Sequence, residues 1–117
     1  MLTIAVVLFA IAAVGGLVMA VMHFRGLTPP KPALAGVHGL FAASGLVVLL
    51  LAVLPSGASG GSGLALGLFL LAAIGGFALL SFHLRKRALP SALLVAHALL
   101  AVAAFVILLW TVFAPAA

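Results

Sequence analysis

Aspartate, glutamate, cysteine and tyrosine are all missing from these 117 residues. Without carboxylates there is no general acid–base pair and none of the intramembrane acids that usually couple transport to protons. Ser81 stands two residues from His83, but no acidic orienter and no oxyanion-hole motif accompany it, which excludes a serine hydrolase of the usual kind. The lack of cysteine removes disulfides, thiolate metal sites, c-type haem attachment and Fe–S clusters together.

What remains is overwhelmingly apolar. With 68% hydrophobic residues and 4% charged, at a mean hydropathy of +1.61, a soluble fold could not cover its own surface with polar groups. The composition is that of an integral membrane protein. A span needs roughly 20 apolar residues, and four such stretches are expected, over 2–24, 33–54, 64–84 and 90–113. The first resembles a secretory signal but has no basic leader, and its pattern recurs sixty residues later, so it is read as a retained helix. The lipid bilayer is therefore the first partner expected.

Charge placement orients the helices. Arg25 and Lys31 flank the first turn and Arg85, Lys86 and Arg87 the third, while 55–63 and both ends of the chain carry no charged side chain. The positive-inside rule makes the basic side cytoplasmic in a bacterial-type inner membrane, with both termini periplasmic. The cations are juxtamembrane and have no aromatic interleaving, so nucleic acid is not an expected partner. In the basic loop 26–32, Thr28 with Pro29 suits the cap and first position of the second helix. The Gly/Ser segment 56–63 reads as a flexible linker without phosphate-binding context.

The two halves are a duplication. At an offset of sixty, Phe9, Ala12, Gly15, Gly16, His23 and Arg25 match Phe69, Ala72, Gly75, Gly76, His83 and Arg85; one residue fewer separates His38, Ala42 and Leu49 from His97, Ala101 and Leu108. Repeat one covers 1–55, linker 56–63 and repeat two 64–117 of a single transmembrane domain. The expected fold is an all-α membrane four-helix bundle of two tandem hairpins, related by a pseudo-twofold axis along the membrane normal.

Four histidines, one on each span, are the chemical signal. Imidazole is costly in hydrocarbon unless it is ligated or hydrogen-bonded. His23 and His83 fall in the last turns of helices one and three, His38 and His97 about two turns into helices two and four. All four are expected in one leaflet, on two levels about 5 Å apart. A histidine at a helix end commonly serves an interfacial hydrogen bond, which is an alternative for His23 and His83. His38 and His97 are deeper and point to ligation, with backbone carbonyls, Ser44 or water to orient them. Small residues on the same faces, including Gly16, Gly45, Gly76 and Ala104, leave room for a flat macrocycle or, alternatively, serve close helix packing. Arg25 and Arg85 suit anionic propionates, and topology alone also accounts for them.

A histidine on each helix, glycine and alanine faces and basic residues at one surface give the chain a pattern that resembles the small cytochrome b-type membrane four-helix bundles. In that family opposed helices supply two axial histidines to each haem. The resemblance implies a membrane haem b electron-transfer protein or subunit. His38 and His97 would be the axial ligands of one haem, Arg25 and Arg85 would lie near its propionates, and His23 and His83 would support it or ligate a second haem. Quinol and a redox partner protein or larger membrane complex would be its partners. The usual dihaem arrangement stacks its sites at two depths, from which this spacing departs. Two other readings stay open: a direct four-histidine site for Zn, Cu or Fe, and an accessory structural subunit of a respiratory or photosynthetic complex.

Overall fold

In a computed structural model, residues 1–28 and 31–114 are described, and they form four long helices. These are α1 (Leu2–Phe24), α2 (Pro32–Val53), α3 (Gly60–Leu84) and α4 (Ser91–Phe113), with a short 3-10 turn at Leu54–Ser56. Each is long and apolar enough to cross a membrane. A helix bonds its own backbone internally, which is the requirement that hydrocarbon imposes. No strand occurs among the described residues. The helices run up and down, each touching its neighbours in chain order, with α1 closing the ring against α4. The diagonals are therefore α1 with α3 and α2 with α4. Packing is closest within the pairs α1–α2 and α3–α4.

The outer surface is a lipid surface. Phe77 is 71% exposed and Trp110 74%, and large apolar residues stand outward along all four helices. Trp110 lies in the last turn of α4, the depth at which interfacial aromatics anchor a span.

One half of the bundle is packed solid. Ala5, Val6, Leu49, Val53, Ala65, Leu66, Ala104 and Leu108 form a single buried cluster with Phe9 and Phe69 at the end where α1 begins, α4 ends and the turn 54–59 lies. Phe9 and Phe69 reach across the α1–α3 diagonal and stack, with ring centroids 3.8 Å apart and planes 2° from parallel. Gly45 makes room for this pair, since a Cβ there would stand 3.1–3.2 Å from the Phe9 ring.

The turns at the other end are Schellman closures. After α1, the Gly26 amide bonds to the His23 carbonyl (3.2 Å) and the Leu27 amide to that of Met22 (3.0 Å); after α3, Lys86 bonds to His83 (3.1 Å) and Arg87 to Phe82 (2.9 Å). Such a closure needs a left-handed residue after the C-cap. Gly26 fills it at φ +64, while Lys86 does so at φ +55. For an L-residue that conformation costs about 1–2 kcal/mol.

Two local expectations change. Lys31, not Thr28, takes the N-cap position of α2, with Pro32 at the first helical position; Pro29 lies outside the described residues. The segment 56–63 is also less linker than expected, because Gly57 (φ +78) and Ala58 (φ +55) complete the reversal and α3 begins at Gly60. Gly63 is required there by close approach, since a Cβ would collide with the Ala58 carbonyl.

Phe69→Ala should lower stability by about 2 kcal/mol, below the 3–5 kcal/mol of water-soluble cores because the detergent-solubilised denatured chain still shelters the ring from water. Thermal unfolding in a non-ionic detergent measures this. An unchanged melting temperature would mean that the stack does not hold the diagonal.

Candidate functional site

Beyond the phenylalanine pair the bundle is hollow. A cavity of about 1260 Å³ extends from Phe9 and Phe69 toward the basic loops, lined chiefly by alanine, glycine and leucine and by all four histidines. It exceeds the 300–1,000 Å³ usual for small-molecule sites. Ala12, Ala72 and Leu79 are the buried apolar residues on this side of the stack among those described.

His38 and His97 are positioned alike. The Nδ1 of each lies 2.7 Å from a carbonyl oxygen of the preceding helix, His38 on Ala12 and His97 on Ala72. A carbonyl can only accept, so Nδ1 carries the proton and donates, and Nε2 keeps its lone pair. These carbonyls are already helical acceptors and use a second lone pair for the imidazole. They are reachable because glycine follows them: a Cβ at Gly16 would come within 3.0 Å of His38 Cε1, and one at Gly76 within 3.1 Å of His97 Cε1. The Gly15–Gly16 and Gly75–Gly76 pairs thus receive the imidazoles themselves, and the open volume is bordered by Gly16 and Gly76 together with Ala42, Ala73 and Ala101.

The two rings face each other across the α2–α4 diagonal. Their centroids are 6.3 Å apart and their planes meet at 81°. Two metal–nitrogen bonds of about 2.0–2.1 Å would hold donor atoms about 4 Å apart, a separation that rings at this spacing can span. The residues therefore fit a group ligated through two Nε2 atoms and flanked by small apolar side chains.

His23 and His83 lie elsewhere. His38 packs on Gly15 and Gly16, seven to eight residues before His23 on α1, so the two histidine levels differ by about 11 Å at 1.5 Å per residue. That is two turns and not one. The expected 5 Å assumes that α2 begins level with the end of α1, whereas α2 begins roughly a turn deeper. The inner pair sits near mid-height of the bundle, and the outer pair at its basic end. His23 Nε2 is 3.0 Å from the Ser91 hydroxyl at the start of α4. Among the described residues, no three histidines come within reach of one ion.

The arginines are also distributed unevenly. Arg85 folds back on its own helix, donating to the Ser81 carbonyl (3.2 Å) and hydroxyl (3.0 Å), with its guanidinium 5.1 Å from the centre of the Phe82 ring. The cations that line the cavity are Lys86 and Arg87, and neither Arg25 nor Arg85 is among its lining residues. Sequence reasoning read Lys86 and Arg87 only as topology signals. The available cue was that they replace Gly26 and Leu27 of the first repeat.

No protein-family model, curated protein or solved structure matches this sequence.

Histidine-selective 15N NMR should find the Nδ1-protonated neutral tautomer at His38 and His97. The double substitution Gly16→Leu and Gly76→Leu should abolish it by driving the rings off their carbonyls. A tautomer mixture at both sites in the unaltered protein would contradict the assignment.

Proposed function

We propose that this chain is a membrane haem b protein, or subunit, that transfers electrons, with His38 and His97 as the two axial ligands of one haem. The observation that carries the reading is the pair of carbonyl-tethered imidazoles, each with a bare Nε2, set 6.3 Å apart within an apolar cavity. The tether fixes the tautomer and orients the ring. A haem b held by these two residues would supply one-electron transfer. Phe9 and Phe69 close the cavity against the packed half and keep water from reaching the inner histidines from that side. A bilayer-soluble quinol is the donor class to test.

The absorption spectrum of detergent-purified protein tests this directly. A Soret band with a sharp reduced α-band is expected, at one haem per chain by pyridine haemochrome. His38→Ala and His97→Ala should each abolish the low-spin spectrum, whereas His23→Ala and His83→Ala should keep it. Retention of the full spectrum by both inner variants would rule the ligand pair out, and a ratio near two would require a second site at the outer histidines.

We further infer an inner-membrane orientation with the basic loops cytoplasmic and both termini periplasmic, because all five cations fall in the loops at the hollow end. Cysteine placed at Ser59 should react with an impermeant thiol reagent applied from the periplasm, and cysteine at Thr28 should not. The opposite labelling would invert the assignment.

A further inference from the structure

We propose that the mouth of the cavity is an anion site of fixed sense, in which His83, Lys86 and Arg87 of the second hairpin hold the carboxylate end of an apolar ligand whose body fills the cavity. The proposal rests on the same cavity as the haem reading but does not require haem.

The two hairpins are close copies in the membrane yet differ where they leave it. At the offset of sixty, Arg25-Gly26-Leu27 matches Arg85-Lys86-Arg87. Both triplets make the same Schellman closure. The first uses glycine for the left-handed residue and a leucine after it, as backbone sterics and the apolar surroundings favour. The second places lysine in the left-handed position and arginine after it, and both line the cavity. A strained residue that persists where its sister position is unstrained points to a use for its side chain.

The outer histidines diverge in the same direction. His23 is engaged by the Ser91 hydroxyl. Past the one-residue deletion, the position matching Ser91 in the first half is Pro32, which offers no hydroxyl. His83 lines the cavity, and among the described residues its side chain makes no hydrogen bond. An imidazole, an ammonium and a guanidinium of the second hairpin, within residues 83–87, therefore line the basic end of the cavity. The chain contains no acidic side chain to neutralise them, and the rest of the lining is almost wholly apolar. The complementary ligand has an apolar body and a negatively charged end, and charge-assisted hydrogen bonds at a water-poor boundary would hold that end. Two sources share this chemistry: the propionates of haem and the carboxylate of a long-chain fatty acid.

The test compares charged probes with neutral ones on the full chain in non-ionic detergent. Hemin and hemin dimethyl ester are titrated by their Soret absorbance; palmitate and 1-hexadecanol are compared as displacers of a fluorescent long-chain fatty acid. In at least one pair the acid should bind about tenfold more tightly than its neutral partner. Lys86→Gly and Arg87→Gln should each cut that preference severalfold, and Lys31→Gln, whose side chain does not line the cavity, should leave it intact. Lys86→Gly should at the same time raise the melting temperature of the ligand-free protein, the opposite of what a folding defect would do. A preference seen with hemin alone identifies the haem source. A preference seen with palmitate alone identifies an acyl acid as the ligand held at the mouth, while the haem reading is decided separately by the Soret band and its loss in His38→Ala and His97→Ala. If neither acid is preferred, or if Lys86→Gly and Arg87→Gln leave the preference unchanged, the proposal is wrong.

Discussion

An imidazole held in hydrocarbon must give its N–H to an acceptor, and in a chain without acidic side chains the backbone is the acceptor within reach. The bonds from His38 to the Ala12 carbonyl and from His97 to that of Ala72 meet this demand. They also account for much of the surrounding sequence. Glycine must stand beside each acceptor so that the ring can approach it. The helices of each hairpin must then be close, which small residues permit where lipid offers no hydrophobic drive. Donation from Nδ1 leaves Nε2 directed to other uses. Satisfying one polar group thus sets the packing distance of the hairpin and the chemistry it presents.

The division of the bundle into a packed half and a hollow half follows from residue size along equivalent faces. Toward the termini the inward positions carry Phe9, Leu49, Phe69 and Leu108, with Leu49 and Leu108 fully buried. Toward the basic loops the same faces carry Ala12, Ala42, Ala72 and Ala101. Methyl groups on four helices held apart by bulkier neighbours cannot meet at the centre. The stacked phenylalanines mark the boundary. They act as a spacer for the diagonal and as the floor of the cavity above them.

Most of the fold was legible in the sequence because bilayer thickness and backbone satisfaction leave few choices for apolar runs of this length. Three of the four helices end within a residue or so of their expected bounds. The exception is the start of α3, where 60–63 looks like linker by composition yet is helical, with glycine needed at Gly61 and Gly63 because a Cβ would meet Thr111 and the Ala58 carbonyl. The depth of the histidines was not legible, since it depends on the axial offset between α1 and α2, which the connecting loop sets. The glycine pairs stand out in the sequence, but what they accommodate depends on which ring lies over them. Lys86 and Arg87 were read as topology signals because nothing in composition shows which way a side chain turns after a left-handed residue.

Each imidazole is tied to a carbonyl of its own hairpin, whereas the gap between the imidazoles spans two hairpins. The tether and the gap therefore respond to different forces. Tilting the hairpins about the phenylalanine stack would alter the 6.3 Å separation while leaving both hydrogen bonds intact. In this geometry the two imidazoles stand as the jaws of a calliper and the stacked phenylalanines as its joint. A force that tilts one hairpin against the other would therefore change what fits between the imidazoles before it broke either tether.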